Sequence, residues 1–96
     1  MAQVEQVDAG HLRVMGVLDF STVTALFSQI HQLGGSTDDL ELDFSSLERS
    51  NSAGLALLLE LLDAARKQNR KITFSGIPPQ LLDLARMSNV EHLLNG

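Results

Sequence analysis

The chain has 96 residues, 44% of them hydrophobic, and a formal net charge of −5. That length suits one domain and is short for two, and the absence of cysteine removes disulfides and thiolate metal sites from consideration. The acidic balance, with phenylalanine as the sole aromatic type, argues against nucleic acid as a partner, because phosphate backbones select basic surfaces and single strands need stacking platforms.

Met1 to Glu5 contain neither a basic n-region nor an apolar h-region, so no signal peptide is expected. The longest apolar run, Leu55 to Leu59, falls far short of the ~20 residues that cross a bilayer. The expectation is one soluble, cytoplasmic domain over residues 1–96, with no direct membrane insertion.

Gln3 to Asp8 and Leu12 to Val17 are β-prone and flank the turn signal Asp8-Ala9-Gly10, which predicts a hairpin with Val4, Leu12 and Val14 inward. Ser21 or Thr22 offers an N-cap for a first helix, along which Val23, Leu26, Phe27, Ile30 and Leu33 recur at helical spacing until Gly34-Gly35. Leu40 to Phe44 reads as a strand with Leu40 and Leu42 inward. Ser52 to Asn69 reads as a second helix, and Lys71 to Ser75 as a strand centred on Ile72 and Phe74. Pro78-Pro79 suits the start of a third helix through Met87, and Val90 to Leu94 forms a short closing segment. The order β-β-α-β-α-β-α predicts an α/β fold: a small mixed sheet with helices packed mainly on one side, the strands joined by crossover helices lying parallel.

Ser52 stands at the start of the second helix, where backbone N–H groups lack partners and the helix dipole favours negative charge. A hydroxyl there caps the helix, accepts a phosphate or faces a partner. Asp19 and Asp43 are expected at strand C-terminal ends on the same edge, where parallel α/β sheets place their ligand surfaces. At ~100° per residue, Leu55, Leu58, Leu59 and Leu62 form a core-facing stripe, and Leu57, Leu61 and Ala64 fall on an adjacent flank. That arc is wider than one sheet contact requires. Either the third helix covers the flank or the flank docks a partner.

The remaining features carry less. Arg66, Lys67, Arg70 and Lys71 cluster at a helix end, either as a solvated complement to its dipole or as a contact for an acidic partner or lipid surface. His11, His31 and His92 share no metal-ligand spacing. No phosphate-cradling loop and no nucleophile–base pair is visible, so neither catalytic residues, a metal nor a cofactor is expected.

Leu42-Asp43-Phe44-Ser45, six further residues, then Ser52-Ala53-Gly54-Leu55 resembles the signature of STAS domains. Gly16-Val17-Leu18-Asp19 resembles the segment before their first helix, and the Leu84, Val90, Leu93-Leu94 spacing also agrees. Within that family, Gly54 to Leu59, then Leu62 to Gln68, and also Arg49, are most similar to the small STAS subunits (MlaB) of Mla phospholipid-transport ABC complexes. The resemblance implies a non-enzymatic accessory subunit that binds, and regulates or stabilises, a cytoplasmic ABC ATPase subunit. It would sit peripheral to the inner membrane through that complex and serve outer-membrane lipid asymmetry. The partner-binding residues it implies are Asp19, Phe20, Ser21, Arg49, Ser50, Asn51 and Ser52, with Leu57 and Leu61 from the helix flank.

The other branch is the anti-sigma factor antagonists, in which Ser52 would be the phosphoacceptor for an anti-sigma factor kinase. Two departures bear on that branch. Asn51 stands where the family carries an acid, and Val17 stands where it carries Glu.

Overall fold

The computed structural model describes residues 2–34 and 39–94. Strands β1 (Ala2–Asp8) and β2 (His11–Leu18) form the expected hairpin, and Gly10 takes a positive φ of 77° in its turn. Helix α1 (Val23–Gly34) leads to β3 (Asp39–Ser50), α2 (Ser52–Lys67), β4 (Lys71–Ser75), α3 (Pro79–Met87) and a four-residue helix, α4 (Glu91–Leu94). The sheet order is β1-β2-β3-β4, with β1 antiparallel to β2 and the β2–β3 and β3–β4 pairs parallel.

Alternation along the central strands fixes which face is covered. Leu12, Val14 and Leu18 of β2 and Leu40, Leu42 and Phe44 of β3 are buried, and Leu12 lies opposite Leu42. They join Leu26 and Ile30 of α1, Leu57, Leu58 and Leu61 of α2, and Leu81 and Ala85 of α3 in one core. Phe44 packs edge-on against Phe74 of β4, ring centroids 5.8 Å apart. The opposite face is polar: Arg13 lies between Glu5 at 3.4 Å and Asp43 at 3.8 Å, ion pairs exposed enough to add little stability.

Three expectations are corrected. First, β3 runs on to Ser50, well past Phe44, because Met15 to Leu18 of β2 continue to pair with Ser46 to Ser50 across two register shifts. Asp43 therefore sits within the strand, seven residues and roughly 20 Å from Ser50, and not on the edge that Ser52 occupies.

Second, α2 is rotated relative to the expected stripe. Ala53, Leu57, Leu61 and Ala65, with Gly54 and Leu58, are buried, whereas Leu55, Leu59 and Leu62 are only half-buried. Leu57 and Leu61, 1% and 5% exposed, belong to the core, so neither forms an exposed flank for a partner. Third, Leu33 at the end of α1 is exposed. Helix α1 is described as far as Gly34; the stop expected at Gly34-Gly35 reaches Gly35, which lies outside the described residues.

Helices α2 and α3 end alike. Asn69 and Asn89 adopt left-handed φ angles of 55° and 60°. The Arg70 amide then donates to Ala65 O at 2.8 Å, and the Val90 amide to Ala85 O at 2.9 Å. These are Schellman closures with asparagine in the left-handed position.

Candidate functional site

Because β2 and β3 are parallel neighbours, their C-terminal ends deliver two loops to one edge. Leu18 pairs with Ser50, and the Asn51 amide donates to Leu18 O at 3.2 Å. The Asp19–Ser21 turn and the Arg49–Ser52 segment are thus adjacent. Seven residues expected to bind a partner come together here: Asp19, Phe20, Ser21, Arg49, Ser50, Asn51 and Ser52. Leu57 and Leu61 do not join them.

The first loop is internally fixed. The Asp19 carboxylate accepts from the Ser21 amide at 2.9 Å and the Ser21 hydroxyl at 2.6 Å. In return, the Thr22 hydroxyl accepts the Asp19 amide at 3.0 Å, and it donates to Val17 O at 3.0 Å. This reciprocal arrangement has the logic of a capping box. It fixes the turn into α1, with Thr22, one of the two expected caps, directly before the helix. The Ser21 hydroxyl, and after it the Ser21 amide, holds the Asp19 carboxyl below its ordinary 3.8. Fixing Asp19 leaves Phe20 projecting at 70% exposure, an aromatic ring held outward on a short, ordered turn.

The second loop corrects the cap of α2. Asn51, with extended backbone, accepts the Ala53 amide on Oδ1 at 2.8 Å, and the Gly54 amide donates to Asn51 O at 2.9 Å. Asn51 is the N-cap; Ser52 is the first residue of the helix, exposed, and its hydroxyl has no hydrogen-bond partner among the described residues. The signal was present in the sequence, since asparagine caps helices as well as serine does. Replacing the family acid with Asn51 removes a charge and keeps the capping oxygen.

Gly54 explains how closely this corner packs. A Cβ there would press on the Ser50 hydroxyl and lie 2.9 Å from a methyl of Leu81, which is fully buried in α3. Only a glycine lets the first turn of α2 approach both β3 and α3.

Asp43 forms a separate corner. Its carboxyl is held below the ordinary value chiefly by the Ser45 amide, which donates at 2.9 Å, and then by the Ser45 hydroxyl, with Arg13 and His11 adding smaller attractions.

The family model described as Mlab, STAS domain, matches residues 1–95. The chain belongs to this family of MlaB-type STAS domains. It is 39% identical over 49 residues to the intermembrane phospholipid transport system binding protein MlaB of Escherichia coli K12, and equally so to that of Shigella flexneri. That alignment covers 51% of this chain, and the chain spans about half (50%) of the length of these curated relatives.

The fold resembles three solved STAS-type structures. One is the anti-sigma factor antagonist SpoIIAA in its unphosphorylated form, with a TM-score of 0.71 and 18% identity over 96% of this chain and 84% of that one. Another is the Bacillus cell fate determinant SpoIIAA in its phosphorylated form, with a TM-score of 0.69 and 17% identity over 100% and 89%. The third is an anti-sigma factor antagonist from Mycobacterium paratuberculosis, with a TM-score of 0.70 and 21% identity over 98% and 81%. At these identities the likeness concerns the fold alone. Among the described residues no helix is long and apolar enough to cross a membrane.

Proposed function

We propose that this MlaB-type STAS domain is a non-enzymatic subunit of an Mla-type phospholipid ABC transporter. It docks on the cytoplasmic ATPase subunit through the edge formed by Asp19–Ser21 and Arg49–Ser52, and so stabilises or regulates the ATPase assembly. The observation that carries this reading is Phe20, exposed on a hydrogen-bonded turn that leaves β2 at Leu18, the residue that pairs with Ser50 at the head of the Asn51–Ser52 loop. An aromatic anchor with a polar, hydrogen-bonding rim is the composition of an interface hot spot. The test is co-purification of the ATPase subunit with Phe20→Asp and Ser52→Glu variants of the full chain. Both variants lose the ATPase while melting like the parent. Retention of the ATPase by both overturns the assignment of this edge.

One observation supports a second reading. The Ser52 hydroxyl is exposed and unpaired among the described residues at a helix start, where a phosphate is electrostatically tolerated. In that reading the chain is an anti-sigma factor antagonist whose kinase partner phosphorylates Ser52. Intact-mass analysis of protein from native cells separates the two, because only the second requires stoichiometric phosphate on Ser52.

A further inference from the structure

The apolar surplus of α2 lies on the side of Leu59 and Leu62, not on that of Leu57 and Leu61. These two half-buried leucines face β4 and α4 across a groove of about 890 Å³ whose apolar lining is completed by Ile72, Phe74, Leu93 and Leu94. Leu93 is 46% exposed. Four consecutive residues of β4, Lys71 to Phe74, line the groove, so it follows the strand lengthwise. Strand β4 pairs with β3 on one side and with no strand on the other among the described residues. Such an edge offers a row of backbone donors and acceptors for a further strand.

The charge around the groove opposes that of the whole chain. Arg66, Arg70 and Lys71 line the groove against the single carboxylate of Asp63, which Arg66 meets at 3.1 Å, and Lys71 has no carboxylate partner among the described residues. A positive rim on a chain of net charge −5 selects acidic side chains.

We propose that this groove binds an extended segment of a partner protein in which apolar residues alternate with Asp or Glu. The segment adds to β4 as a fifth strand. Its apolar side chains enter between Leu59, Leu62 and Leu93 on the helix-covered face, and its carboxylates, on the opposite face, meet Lys71. Strand addition draws affinity from main-chain hydrogen bonds and specificity from pockets for alternate side chains, and both components are present. A lipid would fill the apolar lining but leave the strand edge unpaired. The groove begins at Leu59, about two turns along α2 from Ser52, and shares none of the residues of the proposed ATPase edge.

The experiment selects peptides from a random dodecamer phage library against the full chain, then titrates the best peptide into isotope-labelled protein observed by NMR. Enriched peptides should alternate apolar and acidic residues, and amide shifts should concentrate at Leu59, Leu62, Lys71–Phe74 and Leu93. Lys71→Glu, an exposed position, and Leu93→Asp should each weaken binding at least tenfold. Failure to enrich peptides, enrichment of basic ones, shifts centred elsewhere, or unchanged affinity in Lys71→Glu would overturn the proposal. So would concentration-dependent dimerisation that shifts both β1 and β4, since the occupant would then be a second copy, or shifts produced by anionic vesicles and not by peptide.

Discussion

The Asn51 amide donates to the Leu18 carbonyl at 3.2 Å, which ties the first residue beyond β3 to the last residue of β2. This bond carries the sheet's parallel register into the loops. The turn that carries Phe20 and the helix start at Ser52, distant in sequence, thereby leave the sheet at one edge, and the same asparagine caps α2 through its side chain.

The first prediction concerns that cap. Asn51→Ala should cost about 1 kcal/mol of stability in urea unfolding, as for other lost N-caps. Ser52→Ala, which removes a hydroxyl without a partner, should stay within about 0.5 kcal/mol of the parent. Asn51→Asp retains the capping oxygen and places a negative charge at the helix start, so it should match or exceed the parent at low salt. If Ser52→Ala proves the more damaging of the two alanine variants, the cap has been assigned to the wrong residue.

A second prediction separates core from surface. Leu57→Ala should cost about 2–5 kcal/mol, as expected when a buried leucine is truncated. Phe20→Ala should change stability by less than about 0.5 kcal/mol while weakening association with the ATPase subunit. Thermal melts of both variants, read beside the binding assay, check the contrast. A stable Leu57→Ala protein that no longer binds would restore Leu57 to the interface.

Gly54 gives a third. Gly54→Ala places a methyl against Leu81 and the Ser50 hydroxyl, which should cost about 1–3 kcal/mol as overpacking. Helix propensity alone would favour alanine at this position by about 1 kcal/mol. A stabilised variant would mean that α2 and α3 part more readily than their packing indicates.

The fourth prediction is a pH dependence. Asp19, Asp43 and Asp63 all have folded carboxyl values lowered from 3.8: Asp19 and Asp43 mainly through serine donors, and Asp63 through Lys67 and then Arg66. A lowered folded value means that the unfolded chain binds protons first as pH falls. Their stabilisation is therefore complete above the unfolded value, shrinks as pH drops below about 4 and is gone below the folded values. Urea midpoints measured from pH 6 down to pH 2.5 should stay level and then fall, and Asp43→Asn should flatten part of that fall. NMR titration of the carboxyl carbons should give midpoints below 3.8 at all three positions.

The strand–helix order was legible because its punctuation is chemical: Asp8-Ala9-Gly10 for the hairpin and Pro78-Pro79 for the start of α3. That Asp19–Ser21 and Arg49–Ser52 meet at one edge was legible, since both segments follow the C-terminal ends of neighbouring parallel strands. The phase of α2 was not legible. With leucine at 55, 57, 58, 59, 61 and 62, the apolar arc is too broad for periodicity to choose which part meets the core, and contacts with α1, α3 and β4 decide it. The extent of β3 was equally hidden, because Ser45-Ser46 and Glu48-Arg49-Ser50 lack strand-forming side chains and become a strand only by pairing with β2.

The central claim is that this chain works as a subunit of a lipid-transport ABC assembly. The most direct test is affinity purification of the tagged full chain from its native cells at endogenous expression, with mass spectrometry of everything that accompanies it. The account predicts an ABC ATPase, a permease and a lipid-binding subunit in fixed ratio, with Ser52 unmodified. Recovery of a protein kinase in their place, with stoichiometric phosphate on Ser52, would contradict it.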